Sequence, residues 1–313
     1  MAGLTVAINA IVPFLFYIVF GWGVRHFGLA GEDFLKQLNQ LVFRCFFPIM
    51  MFCNVSQIDP GTEIDPKLIL MGVGSVLLVI AAAWLVVPRL VSENSRRGVI
   101  IMMLFRSNFV LFALPLTISV FGEAQSAIPV MMIAFVIPTY NVMSVIVLEA
   151  FRGGRIKAGT LCKNVLTNPM IMGVLVGLAA LLVGIKVPSC LMKPLKQFSD
   201  LSTPLGMFVL GGTLRFGSLR DDLKYILSVI SFKMLLMPVL VMVVTGMLGM
   251  APLERFILLA MYATPVASGS YAMAENMGGD GDLAGECIVV STVCSVPVLF
   301  AWICFLGNTG FLG

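Results

Sequence analysis

Residues 105–115 read FRSNFVLFALP, and residues 262–276 read YATPVASGSYAMAEN. Both stretches lie in long apolar segments, and both place polar residues and a proline near the middle of the segment. Proline lacks the amide hydrogen that a helix needs, and the run from Ser268 to Ser270 has weak helix propensity. We therefore predict two helices that are each broken near the middle.

The composition places these helices in a lipid bilayer. Hydrophobic residues make up 59% of the 313 positions and charged residues only 12%, which is too little charge for a water-facing surface. Several apolar stretches reach the roughly 20 residues that cross a hydrocarbon core of about 30 Å. The sequence therefore predicts an all-α polytopic membrane protein with ten transmembrane helices. The predicted spans are residues 4–24, 37–56, 67–88, 98–121, 126–149, 165–184, 191–214, 223–248, 255–277 and 284–306.

The basic residues predict how these spans are oriented. If the N-terminus lies outside, most Lys and Arg residues of the loops fall on the inner side. Basic residues in short loops favour the cytoplasmic side of a membrane. We therefore expect a multi-pass protein of a bacterial inner membrane with both termini outside.

An internal repeat divides the chain. A shift of 156 positions superimposes prolines and glycines of the first half on those of the second. The aligned pairs are Pro13 with Pro169, Gly21 with Gly177, Gly28 with Gly184, Gly122 with Gly278, and Pro48-x-x-Met51-Phe52 with Pro204-x-x-Met207-Phe208. Because five spans per half is an odd number, we predict two inverted five-helix repeats, residues 1–150 and 165–313, joined by a short cytoplasmic linker, residues 151–164. The alternative is that small residues and proline recur by chance, since any helical membrane bundle favours them.

The two broken helices predict a binding site. Unwound backbone at membrane depth is tolerated only where protein or a water-filled cavity surrounds it, so equivalent breaks in two repeats indicate a shared site. Each second half-helix offers free N–H groups and a positive dipole end, which favour a carboxylate. We therefore expect a small organic anion as the ligand. The candidate binding residues are Arg106, Asn108, Pro115, Asn141, Thr264, Ser268, Ser270 and Tyr271.

Some of these residues have a structural alternative. Arg106 either pairs with the carboxylate or ties the bundle together through Glu275 or a backbone carbonyl. Pro115 alone is also consistent with a simple kink, and Asn141 with an interhelical hydrogen bond. Two acidic residues, Glu275 and Asp200, are candidates for a proton-coupled carboxylate or for plain ion-pair partners. For the deep Lys233 we expect a structural pair.

The sequence lacks the motifs that other classes of function require. The only histidine, His26, lies beside Arg25 in a predicted loop, and no H-E-x-x-H run is present, so an intramembrane enzyme is not expected. The seven cysteines form no C-x-x-C pair, so neither a metal site nor a disulfide framework is indicated. No basic cluster with interleaved aromatics suggests nucleic-acid binding. We expect no cofactor.

Two motifs resemble a known family. The segment from Arg106-Ser107-Asn108 to Pro115-Leu116, and the stretch from Ser270 to Asp280, resemble the auxin efflux carrier family in its bacterial form, within the bile acid and sodium symporter-like superfamily. The resemblance implies outward termini, a scaffold of helices 1, 2, 6 and 7, and a transport part of helices 3–5 and 8–10. It also implies that helices 4 and 9 cross at their broken points, where substrate binds and is moved by an elevator-like shift.

The resemblance also implies a substrate class. The resemblance to the bacterial members implies malonate or malate as the substrate. The resemblance to the family as a whole also implies an indole carboxylate. The plant members have a second proline after the break in helix nine, where this chain has Ser270, and a long inner loop that here shrinks to residues 151–164. A homodimer through the scaffold is a further expectation.

Two alternative functions remain open at this stage. One is a sodium-coupled organic anion symporter of the bile acid transporter type, whose members hold cations with acidic and amide groups near the crossover. Glu275 and Asn276 follow the second break as coupling candidates, but span four contains no Glu/Gln pair. The other is an anion-binding channel or receptor that does not transport.

Overall fold

The chain folds into an array of helices. The computed structural model describes residues 2–57, 65–122, 125, 127–153, 158–185, 187–214, 219–308 and 311, and within them the regular structure is helical. The α-helices are α1 (Ala2–His26), α2 (Glu32–Leu41), α3 (Phe47–Ser56), α4 (Pro66–Leu90), α5 (Asn94–Phe105), α6 (Phe109–Phe121), α7 (Ala127–Phe151), α8 (Ala158–Leu166), α9 (Pro169–Val183), α10 (Ser189–Thr213), α11 (Leu219–Ile230), α12 (Met237–Met247), α13 (Pro252–Ala263), α14 (Gly269–Asn276) and α15 (Gly281–Asn308). Two π-helical segments, Val42–Phe46 and Ser231–Leu236, join α2 to α3 and α11 to α12.

Length and composition allow several of these helices to cross a membrane. Among the described residues, five helical stretches qualify, namely Glu32–Ser56, Pro66–Leu90, Ile128–Phe151, Leu219–Met247 and Gly281–Asn308. Large apolar side chains are also exposed on the outer surface, such as Leu78, Leu182 and Val183, which are each more than two-thirds exposed. Such a surface suits contact with lipid. The prediction of an all-helical multi-pass membrane protein is confirmed, whereas the number of ten spans stays a prediction.

Two helix pairs pack backbone to backbone. Helix α1 lies against α10, and α3 lies against α9. Gly21 of α1 faces the carbonyl of Phe208, and Gly177 of α9 faces the carbonyl of Phe52, where an added Cβ would lie 3.0 Å from the oxygen. These two contacts are related by the same shift of 156 positions that aligns the sequence with itself. Small residues allow this close approach in a membrane, where packing rather than the hydrophobic effect holds helices together.

The ends of α1 and α9 are closed in the same way. Gly28 and Gly184 have φ angles of 72° and 73°, a left-handed conformation that glycine adopts without steric cost. The following residues then bond back to the helix, Leu29 N to Val24 O at 3.0 Å and Ile185 N to Ala180 O at 2.9 Å. Both bonds occupy positions that the repeat relates to each other.

Two helices are broken, and their breaks pair with each other. Residues Arg106–Asn108 separate α5 from α6, and Thr264–Ser268 separate α13 from α14. Ser107 and Val266 form an antiparallel bridge, and the amide of Asn108 donates to the carbonyl of Pro265 at 2.9 Å. Thr264 is extended, as expected before a proline. The two unwound segments therefore satisfy part of each other's backbone.

The position of the first break corrects one expectation. Pro115 lies inside α6 and does not interrupt the helix. The helix is interrupted instead before Phe109, at Ser107 and Asn108, whose side chains favour non-helical backbone. Pairing with the segment around Val266 replaces the helical hydrogen bonds that this break removes.

A charged cluster joins the first turns of two helices at one end of the bundle. Arg96 of α5 contacts Asp222 of α11 at 2.9 Å, Asp280 at 3.1 Å and Glu93 at 3.2 Å. The Asp222 side chain is almost completely buried, while Arg96 is about one-fifth exposed. The cluster therefore ties α5 and α11 to the segment that precedes α15.

We expect Arg96→Gln to lower the free energy of unfolding by about 2–3 kcal/mol, because the buried carboxylate of Asp222 loses its ion pair with Arg96. This expected loss of stability is smaller than the full cost of breaking a buried ion pair, because Arg96 is about one-fifth exposed and water partly screens its charge. Thermal unfolding of the purified variant measures the effect. Lys224→Gln, at an exposed position on α11, is the control and should change stability little. Equal stability of the two variants would show that the cluster does not stabilise the fold.

Candidate functional site

The paired breaks line a cavity of about 630 Å³. Helices α1, α3 and α10 supply one wall and the two breaks supply the other, with α7 beside them. Most of the first wall is apolar, including Phe14, Phe47 and Met51. Polar residues line both sides of the cavity. Arg106, Ser107, Asn108, Asn141 and Ser268 lie near the breaks, whereas Asn54, Ser199, Asp200 and Thr203 lie on the side formed by α3 and α10.

Arg106 is the buried cation of this cavity. Its side chain belongs to a residue that is only 5% exposed. The guanidinium donates to Oδ1 of Asn141 at 2.8 Å, to Oγ of Ser144 at 3.1 Å and to Sδ of Met273 at 2.6 Å, while Nε has no hydrogen-bond partner. Within the described residues, no carboxylate lies at ion-pairing distance from Arg106. The expected alternative pairing with Glu275 is therefore not found there.

A buried cation without an acidic partner is costly at membrane depth. Its neutral partners, Asn141, Ser144 and Met273, orient the guanidinium without cancelling its positive charge. Arginine is suited to binding an anion because its planar fork of N–H groups matches a carboxylate. The cavity is therefore lined by one buried guanidinium, at the breaks, and by the side chain of Asp200 on the side of α10.

Asn141 holds the guanidinium in place. Besides accepting from Arg106, it donates through Nδ2 to the carbonyl of Ile137 and to Sδ of Met51, both at 2.8 Å. The interhelical hydrogen bond of Asn141 is therefore present, and the residue also lines the cavity, while its role in substrate binding stays a prediction. Ser144, which the sequence reasoning missed, lies one turn later on the same helix and continues the same polar face.

The N-terminus of α14 lies against the arginine. A Cβ added to Gly269 would be 3.3 Å from a terminal nitrogen of Arg106 and 3.2 Å from the ring of Phe47. Ser268 is the N-cap residue of α14 and Asn108 is that of α6, and neither side chain forms a capping hydrogen bond. The first N–H groups of a helix have no partner within the helix and carry partial positive charge. The guanidinium and the start of α14 therefore point the same sign of charge at one region.

Other predicted site residues lie outside this cavity. The side chains of Thr264 and Ser270 are buried and do not line it. Tyr271 bonds to Thr213 of α10, with 2.6 Å between the hydroxyl oxygens, and together with Glu275 and Asn276 it lines a second cavity of about 590 Å³. Because α14 rises about 1.5 Å per residue, Glu275 lies roughly 10 Å along the helix from Ser268. The helix therefore connects the two cavities.

The second cavity is rich in charged groups. Arg25 and Lys36 both contact Glu32, at 3.1 and 2.9 Å, and the carboxyl groups of Glu275 and Asp282 line the opposite wall. His26 also lines it. Of the coupling candidates, Glu275 and Asn276 thus belong to this cavity, and Asp200 belongs to the first.

The described residues thus include several helices that can cross a membrane, and a cavity lies among the helices, as in a multi-pass membrane protein. Residues 6–303 match the model of a family described as membrane transport protein. The chain is also similar to an uncharacterized transporter of Methanocaldococcus jannaschii, with 22% identity over 308 residues that cover 95% of this chain and 98% of that protein. The chain therefore belongs to the membrane transport protein family, which is the auxin efflux carrier family, and the resemblance drawn from the two motifs is confirmed.

Proposed function

We propose that this transporter is a secondary active carrier of a small organic anion. The observation that carries the proposal is Arg106, a buried guanidinium that lines the first cavity without an acidic partner among the described residues. A soluble anion would supply the missing negative charge. Transport rather than catalysis is the activity that the family suggests.

The carboxylate is proposed to bind in the first cavity, beside both Arg106 and the start of α14. There it would accept hydrogen bonds from the guanidinium, from the first N–H groups of α14 and from the side chain of Asn108. Ser268 adds a neutral hydroxyl beside these donors. Most of these groups are uncharged, so their affinity for the anion still allows it to be released. The apolar wall with Phe14 and Phe47 would face the rest of the substrate, which we propose to be malonate, malate or an indole carboxylate.

The architecture is proposed to be two inverted five-helix repeats, residues 1–150 and 165–313, with a cytoplasmic linker of residues 151–164. Residues 154–157 of this linker lie outside the described residues. The equivalent contacts of Gly21 and Gly177, and the equivalent turns at Gly28 and Gly184, support the repeat. We further propose a bacterial inner membrane as the location, with both termini outside and a homodimer formed through the scaffold.

The movement is proposed to be an elevator-like shift of the part that carries the two breaks. The tight pairs α1 with α10 and α3 with α9 support a rigid scaffold, because their backbones are in direct contact. The cavities at the two ends of α14 would be the two entrances of one pathway. Proton coupling would use Asp200 in the first cavity or Glu275 in the second, with Asn276 beside it.

Transport in proteoliposomes tests the proposal. Liposomes that contain the purified protein are loaded with unlabelled malonate or malate, and uptake of the labelled anion is followed with and without a pH gradient. We expect saturable counterflow, which a carrier shows and an open pore does not. Protein-free liposomes provide the background. Absence of flux for every mono- and dicarboxylate tested, at either pH condition, would contradict anion transport.

We expect Asn108→Ala to weaken substrate binding about 10- to 100-fold, because the carboxylate loses one hydrogen bond worth roughly 1.5–3 kcal/mol. The pairing of the two breaks should persist, since it uses the backbone of residue 108 and not its side chain. Equilibrium binding of the labelled anion measures the effect. Gln37→Ala removes an amide from an exposed position of α2 and should leave affinity unchanged. Unchanged affinity of Asn108→Ala would remove this residue from the site.

A further inference from the structure

A second buried cation lies behind the second break. Lys233 belongs to the π-helical segment between α11 and α12 and is completely buried. Its Nζ donates to the carbonyl of Tyr262 at 3.1 Å and also to the carbonyl of Thr264. Within the described residues no carboxylate pairs with Lys233. Its partners are therefore two backbone oxygens at the end of α13, and not the acidic side chain that a structural ion pair would use.

These two oxygens are products of the break. The last carbonyls of a helix have no N–H partner within the helix, and they form its negative dipole end. Around this break, the amide of Val266 donates to Oγ of Ser291 at 3.2 Å, and the carbonyl of Pro265 accepts from Asn108. Lys233 satisfies the carbonyls of Tyr262 and Thr264. Without the ammonium group, two buried carbonyl oxygens would lose their cation.

Lys233 lies in the π-helical segment Ser231–Leu236. Single π-helical turns are rare in proteins, but those that occur often lie at functional sites. The extra residue leaves backbone groups outside the regular i to i−4 hydrogen bonds of the helix. Here the carbonyl of Met234, the residue after the lysine, accepts from Nε1 of Trp302 at 3.1 Å. The segment is thus tied to α15 on one side, while Lys233 reaches the break on the other.

A cluster of oxygen atoms at the end of an unwound half-helix is the place where secondary carriers hold a coupling cation. Hard monovalent and divalent cations prefer such oxygen ligands. The hydroxyl of Thr264 is also buried and has no hydrogen-bond partner among the described residues. We propose that the ammonium group of Lys233 is a resident cation that occupies this position, so that the break is held in its substrate-binding form without sodium. Lys233 is in this view a positioning residue, because it acts on the binding site through the backbone of residues 262–264.

This inference rests on the proposed anion site for its effect on substrate, but its first test needs no substrate. We expect Lys233→Ala to create an oxygen-lined cation site, so that sodium or lithium chloride raises the apparent melting temperature of this variant relative to choline chloride. A rise on the order of 2–4 °C or more is expected at concentrations well above the dissociation constant. The wild-type protein and Lys224→Ala, which removes an exposed lysine from α11, should show the same melting temperature in all three salts.

The second test uses substrate binding. Wild-type affinity for the transported anion should be the same in sodium and in choline. Lys233→Ala should bind at least about 10-fold more weakly in choline and should recover affinity in sodium or lithium, which a purely structural role would not produce. Lys233→Met, which fills the space with an apolar chain, should bind weakly in every salt. Sodium dependence of the wild-type protein would overturn the proposal even if the variants do not fold. Equal melting temperatures of Lys233→Ala in all salts would also overturn it.

Discussion

Replacing Arg106 with glutamine is expected to lower affinity for the transported anion by at least about 100-fold, and to abolish uptake at substrate concentrations near the wild-type half-saturation value. A factor of 100 corresponds to about 2.7 kcal/mol, which is within the range for truncating one partner of a buried charge pair. The physical reason is that Arg106 is the buried cation of the first cavity without an acidic partner among the described residues. Glutamine keeps hydrogen-bond donors and loses the charge.

The controls for this prediction separate charge from folding. Arg44→Gln removes an arginine from the π-helical segment Val42–Phe46. Arg44 is exposed and lies outside the first cavity, so this variant should bind substrate like wild type. Arg106→Lys keeps the charge as a single point without the planar fork, so that an intermediate affinity is expected. Each variant is compared after its melting temperature has been measured. Wild-type affinity in a folded Arg106→Gln protein would show that this residue only ties helices together through Asn141 and Ser144.

Replacing Gly21 with alanine is expected to lower the free energy of unfolding by about 3–5 kcal/mol. An added Cβ at this position would overlap the carbonyl of Phe208, which belongs to the backbone of α10 and has no rotamer that could move it away. The helices α1 and α10 would have to separate along their shared surface. Close packing supplies much of the attraction between helices in lipid, so separation loses stability at many contacts at once.

The same helix offers a matched control. Gly23 lies two residues further on, and an added Cβ there meets nothing within 4 Å. Gly23→Ala should therefore be neutral or slightly stabilising, by up to about 1 kcal/mol, because alanine favours helix more than glycine does. Thermal unfolding in detergent compares the two. A Gly21→Ala protein as stable as Gly23→Ala would show that α1 and α10 do not form the rigid contact on which the scaffold is proposed.

The two breaks illustrate what local sequence predicts well. Pro265 and the polar residues after it have low helix propensity, which predicts a break at this position. In the structure α13 ends before Pro265 and α14 begins after it. In the first stretch the same reasoning gave too much weight to Pro115, which α6 contains, and too little to Ser107 and Asn108. The difference arises because pairing with Val266 compensates the break, and such pairing joins positions far apart in the chain.

The partners of the two buried cations could not be predicted from local pattern. Arg106 bonds to Asn141, Ser144 and Met273, which are separated from it by 35, 38 and 167 positions. Lys233 bonds to backbone carbonyls, which no side-chain motif reveals. The placement of Tyr271 in the second cavity depends on how α14 is rotated, and that rotation follows from packing against α10 and α15. Membership of the family, by contrast, was predicted from two short motifs and is confirmed by the match over residues 6–303.

The most direct test of the anion site is a structure determined with the transported anion bound. We expect one carboxylate of the ligand to lie in the first cavity, with its oxygens about 2.7–2.9 Å from the guanidinium of Arg106 and within hydrogen-bonding distance of the first amides of α14. A ligand bound in the second cavity beside Tyr271 and Glu275, with the first cavity containing only solvent, would contradict the account.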